Sequence, residues 1–390
     1  MNAVRMWIYI VRRLLLVIPV IIGVMTITFI LVSLIPIPTR IASFTLARNA
    51  KPGSAVYQQA YDSLGLNRPV PEQWAIYIFH SLTLNWGYTS PHSQATVGAA
   101  LGQTSWPVAE VLGWYLPFTL ELAAISLVLI LLIAIPLGNL SAVYRNRPLD
   151  QGARVLSFSG YAFPTFLLAS VVLLAAVVAS GGFTSTCHSL SFQYLSWYGS
   201  WPSAPCLPGN PPPSTLPSWI GPHLESSPTG FPTVDALLHW NTPSGPDLAF
   251  ESVKRMILPA LVIAYGYVAS ILRFVRNSML EVMNLDFVRT ARAKGVPERQ
   301  VVNRHAGRNS LNVTVTVLGL TFAFFITGFP VIEDVFHLRG IGYLLALSIQ
   351  PTQDFGIIFG STLLLTIIVV AANIIVDVAY AYLDPRVRLG

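Results

Sequence analysis

The sequence predicts an all-α integral membrane protein with six transmembrane helices, both termini cytoplasmic, and a large irregular external insert. Three observations carry that prediction. Hydrophobic residues make up 53% of the 390 and charged residues only 10%, too few charges to clothe a soluble surface of this size. Six stretches are long and apolar enough to cross a bilayer, which takes about 20 residues as helix. The basic residues fall in short blocks beside every second connection, the pattern that marks a cytoplasmic face.

The elements follow in order. A cytoplasmic segment over 1–13 carries Arg5, Arg12 and Arg13 and leads into the first span, 14–35. That apolar run is too long for a cleaved signal sequence and has no small-residue cleavage pattern after it, so it reads as a retained anchor. An external loop over 36–115 contains a short amphipathic helix near 72–82. The second and third spans, 116–140 and 156–180, flank Arg145, Arg147 and Arg154. An external cap over 181–255 then holds twelve Pro between Pro202 and Pro246, with Trp197, Trp201, Trp219 and Trp240. Such Pro density excludes long helices and central strands. So many Trp argue against disorder, because disordered segments are poor in aromatics. The expectation is an irregular but ordered cap on the outer mouth.

Cys187 and Cys206 both lie in that cap. An oxidising exterior permits a disulfide, favoured here over two free thiols; a metal site with His188 lacks the spacing of structural zinc. The fourth span, 257–276, is followed by a cytoplasmic segment over 281–308. The fifth span, 311–332, an external gate loop over 333–354 and the sixth span, 355–383, complete the chain, with Arg386 and Arg388 beyond. Within the gate loop, the Leu344-Leu345-Ala346-Leu347 run reads as a short re-entrant or interfacial helix.

The cytoplasmic island from Asp286 to Arg308 is the most distinctive stretch. It holds six of the 23 Lys and Arg residues and a Gly295-Val296-Pro297 break. Gly ends helices well and Pro starts them well, so the break predicts two short helices meeting at a turn. That is a docking element for a soluble partner. A net charge of +6 raises nucleic acid as a partner, but the placement of the basic blocks favours topology and docking.

No enzyme constellation is present: no H-E-x-x-H, no G-x-S-x-G and no phosphate-binding G-x-x-x-x-G-K-[ST]. If nucleotide hydrolysis drives the protein, another chain supplies it. Two acids lie in spans, Glu121 and Asp377. Each is a turn or two from an interface and able to pair with a nearby Arg, which makes a structural role the stronger reading. The fifth span mixes small, hydroxyl and aromatic residues. Close helix packing and a path lining account for it equally, and Thr321, Phe325, Thr327 and Phe329 are the candidate path residues.

Several blocks, in order, resemble the ABC importer permeases of the dipeptide/oligopeptide/nickel (Opp/Dpp-type) branch, first-permease subtype. Tyr9-Ile-Val-Arg-Arg-Leu-Leu-Leu is followed by Leu64-Gly-Leu-Asn-Arg-Pro-Val-Pro, then Leu116-Pro-Phe-Thr-Leu-Glu-Leu and Ile257-Leu-Pro-Ala-Leu. Arg289-Thr-Ala-Arg-Ala-Lys-Gly matches the coupling core, and Tyr380-Ala-Tyr-Leu-Asp-Pro-Arg matches the family's ending. The resemblance implies a type I ABC importer permease fold in the plasma membrane. It also implies a second paralogous permease, two cytoplasmic ATPases that bind ATP and Mg, and an external solute-binding protein; this chain itself carries no cofactor. By the same match, Ala291, Ala293 and Gly295 sit in a groove of the ATPase, with Arg289, Arg292 and Lys294 rimming the contact. The implied solute is a peptide. Oligosaccharides of the cello-oligosaccharide type are the alternative within the class, and a stand-alone channel or secondary transporter is the alternative outside it. Ile35-Pro-Ile-Pro-Thr, Asn312-Val313 and the long second external segment depart from the family pattern.

Overall fold

The computed structural model describes residues 3–44, 51–90, 106–179, 231–238, 245–310, 329–336, 338–349 and 354–383. Among them the chain is helical, with one isolated antiparallel bridge between Tyr88 and Pro107 and no strand.

Helix α1 (Ala3–Ser33) is a single long apolar helix that starts well before the expected span. The connection after α1 holds three short helices, α2 (Ile37–Phe44), α3 (Ala55–Ser63) and α4 (Val70–Leu82). Helix α4 covers the expected amphipathic stretch and opens on Pro69-Val70-Pro71, where a missing N–H costs nothing. It lies against α1. The Trp74 indole N–H donates to the Thr26 hydroxyl at 3.0 Å, and the Tyr77 ring stacks on Phe29 with centroids 5.7 Å apart.

The centre of the molecule is the pairing of α5 (Val108–Val143, 36 residues) with α9 (Gly245–Met283, 39 residues). At about 1.5 Å per residue, α9 runs roughly 58 Å, longer than a whole bilayer with its headgroups. The two approach closely where Gly138 faces α9: a Cβ there would sit 2.8 Å from the Val275 side chain. Phe118, Leu122, Ile130 and Ala134 of α5 and Ala260, Ala264, Ile271 and Leu272 of α9 share the main core.

Two expectations are corrected. The third span is not one helix. Helices α6 (Pro148–Ala162) and α7 (Thr165–Ala179) meet at 105°. Pro164 removes a helical donor, and Phe163 before it is extended at φ −97°, ψ 122°, as a residue preceding Pro prefers. The cap is also more helical than its composition suggested. Residues Pro232–Leu238 form α8, and 245–255 are the first turns of α9. Beyond Pro246, which occupies the first turn, no Pro occurs until Pro259, so nothing there interrupts a helix. The rest of the cap, with Cys187 and Cys206, lies outside the described residues.

After α9 come α10 (Asp286–Ala293) and α11 (Glu298–Gln300), which runs into a π-helical stretch, Val301–Ala306. Residues 311–328 of the fifth expected span lie outside the described residues; α12 (Phe329–Val335) follows them. The expected gate loop contains α13 (Ile341–Ile349), and α14 (Phe355–Leu383) has the bounds of the expected sixth span. Parts of α1, α5, α9 and α14 are each long and apolar enough to cross a membrane, and the bent α6–α7 pair passes the same test as a broken span.

Candidate functional site

Gly295 sets the shape of the basic island. It has φ +73°, the left-handed conformation that closes helices. Its N–H donates to the Arg292 carbonyl at 2.9 Å, and the Val296 N–H reaches back to the Ala291 carbonyl at 3.2 Å. This is the Schellman arrangement, and Pro297 then starts α11. Across the turn, Arg292 donates Nε and Nη2 to the two Glu298 carboxylate oxygens at 3.0 and 2.6 Å. That paired hydrogen bond holds the Glu298 carboxyl below its ordinary range and the Arg292 guanidinium above its own.

The helix has two faces. Val288 and Ala291 are buried, in a small core with Ala142 of α5, Met279 and Val282 of α9, and Val301 and Ala306. Arg289, Ala293, Lys294 and Gly295 are exposed, with Leu285 and Phe287 beside them at 45% and 39% exposure. Two expectations change as a result. Ala291 does not lie on the exposed face, because its methyl fills this chain's own core. Arg292 is already engaged by Glu298 and is not a free cation awaiting a partner. Leu285 and Phe287, which sequence reasoning passed over, are the apolar groups on the open side. Their signal was visible as two large apolar residues at the start of a basic helix.

The same end of the molecule holds a buried charge cluster. Asp150, at the start of α6, is fully buried, and both its oxygens are engaged. Oδ1 accepts from the Ser141 hydroxyl at 2.7 Å and Arg276 Nε at 2.6 Å. Oδ2 accepts from Arg154 Nη2 at 2.6 Å, the Asn146 backbone N–H at 2.9 Å and Arg276 Nη2 at 3.1 Å. Arg276, before the other donors, holds the Asp150 carboxyl far below the usual carboxylate range. The cluster ties α5, α6 and α9 together immediately above the core under α10. Sequence reasoning took Arg145, Arg147 and Arg154 for topology and overlooked the one acid among them. The second and fourth connections thus lie at one end of the α5–α9 pair.

At the other end, α13 packs with the starts of α5 and α14 through Val108, Val111, Leu112, Ile341, Leu344 and Ile357. Asp354 accepts the Ser90 N–H at 2.7 Å and the Ile357 N–H at 3.2 Å, fixing the segment after α4 to the start of α14. Glu333 of α12 is 1% exposed and meets the start of α13. Its Oε1 accepts from the Thr119 hydroxyl at 2.7 Å and its Oε2 from the Gly342 N–H at 2.7 Å.

Of the candidate path residues, Thr321, Phe325 and Thr327 lie outside the described residues. Phe329 is 1% exposed and belongs to the main core, so its ring serves packing instead of facing an open path. Glu121 is buried and its Oε1 accepts the Thr233 backbone N–H at 3.0 Å; its partner is the backbone of α8 and not an Arg. Asp377 falls within α14, but its side chain lies outside what the structure describes.

Comparison with known proteins agrees with this architecture. Residues 134–389 match the family described as "Binding-protein-dependent transport system inner membrane component". The chain is 33% identical over 372 residues to the "Probable D,D-dipeptide transport system permease protein DdpB" of Escherichia coli K12, covering 95% of this chain and 94% of that protein. It is 30% identical to the "Oligopeptide transport system permease protein AppB" of Bacillus subtilis 168, covering 97% and 99%. The "Dipeptide transport system permease protein DppB" of E. coli K12 is likewise 30% identical, covering 97% and 98%. The chain belongs to the family of binding-protein-dependent transport system inner membrane components, as a multi-pass ABC transporter permease of the Opp/Dpp type.

Proposed function

We propose that this chain is the first of two paralogous permeases that together import peptides across the cell membrane. Six spans, with both termini and the coupling island inside, make up its half of the path. A solute-binding protein delivers peptide to the outer mouth. Two cytoplasmic ATPases bind ATP and Mg, and this chain contributes no catalytic group. Peptide is preferred to oligosaccharide because relatives named for dipeptide and oligopeptide transport match nearly the whole chain.

The observation that carries the reading is the open face of α10. Leu285 and Phe287 offer apolar anchors, Arg289 and Lys294 rim them, and apart from Gly295 itself and its two chain neighbours no heavy atom of the described residues lies within 4 Å of where a Gly295 Cβ would be. An apolar anchor with a charged rim is the anatomy of a docking patch, in which the anchor supplies most of the affinity. The buried face of α10 and the Asp150 cluster give the movement of a docked ATPase a rigid route into α5, α6 and α9.

The test is affinity purification of the tagged chain from native membranes. The expected result is co-purification of two ATPases and a second permease, weakened about tenfold or more by Phe287→Ala and far less by Arg289→Ala. Recovery of the intact chain with no ATPase sinks the proposal. Uptake of labelled trialanine by cells carrying the operational complex, lost with the chain, tests the solute.

A further inference from the structure

The first three N–H groups of a helix have no partner within it. In α13 all three are met from outside, by two side chains on two other helices. The Ile341 N–H donates to the Thr119 hydroxyl oxygen at 2.9 Å, and the Gly342 and Tyr343 N–H groups donate to Glu333 Oε2 at 2.7 and 3.3 Å. The Thr119 hydroxyl hydrogen in turn goes to Glu333 Oε1, which closes the ring of contacts. Thr119 and Glu333 are each 1% exposed. The fit leaves no spare room: a Cβ on Gly340 would overlap the Glu333 carboxylate, and one on Gly342 would overlap Pro330.

We propose that Glu333 is the positioning residue of the outer gate, and that with Thr119 it latches the α12–α13 hairpin to α5. The proposal rests on the reading of the chain as an alternating-access permease with α13 at its outer mouth. The physics of the contact gives it two states. A partial release would leave a carboxylate and three backbone donors unpaired in a dry site, which is costly. Complete release lets water satisfy all of them together. A hairpin held this way is therefore either closed and dry or open and wetted, and it switches as a unit. Thr119 brings a hydrogen-bonded contact from the α5–α9 body, beside the apolar contacts that Val108, Val111 and Leu112 of α5 make with α13, so motion entering α5 at the cytoplasmic end bears directly on the latch.

The test places a reporter thiol on α13 by Ser348→Cys, at a position that is 3% exposed when the hairpin is closed. Cys187 and Cys206 are replaced by Ser in the same chain. The assembled transporter in membrane vesicles is treated from outside with a membrane-impermeant methanethiosulfonate, with and without ATP and vanadate. In the otherwise unaltered chain the thiol reacts at least about tenfold faster in one nucleotide state than in the other, as expected for losing hydrogen bonds to a charged group. With Glu333→Ala it reacts quickly in both states, while Glu333→Gln, which keeps an acceptor for the α13 N–H groups, retains most of the difference. Thr119→Val removes the hydroxyl at nearly constant volume and carries the same expectation as Glu333→Ala if that variant does not assemble. An assembled Glu333→Ala or Thr119→Val transporter whose thiol keeps the full state dependence overturns the latch alone. A thiol equally unreactive in every state of the unaltered chain overturns the gate reading beneath it. A merely structural Glu333 would change the yield of complex and leave the state dependence intact.

Discussion

Asp150 is a buried carboxylate that three charged or hydroxyl side chains and one backbone N–H address at once. The arrangement is consistent with its depressed pKa: Arg276 and Arg154 favour the ionised form more than burial disfavours it. Asn146 contributes by adopting φ +64°, a left-handed conformation that Asn tolerates better than most residues, which aims its N–H at Oδ2. The consequence for stability has a definite sign. An unfolded Asp titrates near about 3.9, so the cluster stabilises the fold fully above that pH and loses its contribution as pH falls further. Asp150→Asn is expected to cost about 3 kcal/mol at neutral pH, because two guanidinium groups lose their counter-charge and Arg276 is largely buried. Melting of the purified chain in detergent checks both points. The unaltered chain should lose stability faster than Asp150→Asn as pH is lowered from about 4 to 2, and parallel curves would contradict the assignment.

At the scale of elements, helix ends were the most legible features and helix faces the least. The turn at Gly295 could be predicted because its cause is local: a left-handed residue followed by Pro. The same motif closes α3 at Gly65, with Gly65 N–H to Asp62 and Leu66 N–H to Tyr61. It also closes α4, where Leu84 N–H reaches Ser81 and Asn85 N–H reaches His80, but there the left-handed position at φ +57° is occupied by Leu. A branched side chain in that conformation costs about 1–2 kcal/mol. Leu84→Gly should therefore raise stability by about 1 kcal/mol, seen as a higher melting temperature, since the Leu84 side chain is 61% exposed and gives up little burial. A lower melting temperature would show that the side chain is held by contacts that outweigh the strain. The kink at Pro164 had an equally local cause, yet a hydropathy window sums across it and reports one span. Which face of α10 turns inward had no local cause at all. Val288 and Ala291 are buried because α5 and α9 end beneath them.

For the whole molecule, basic blocks on alternate connections predict that reporters fused after residue 146 and after residue 390 are active inside the cell. A reporter fused after residue 349 should be active outside. An external signal from the fusion after residue 146 would reverse the topology and remove the coupling island from reach of any ATPase. The sequence by itself determined the solvent of this protein, and it carries the expectations for the direction of its spans and for a docking segment. Each depends on composition or on residues adjacent in the chain, where apolar length, basic charge and a Gly-Val-Pro break act within a few residues. The tertiary structure alone decided which side chains do the joining. Asp150 meets Arg276 across 126 residues, and Glu333 meets Thr119 across 214. Neither pair has a local signature, because a buried carboxylate is stable only where separate helices deliver its donors to the same place.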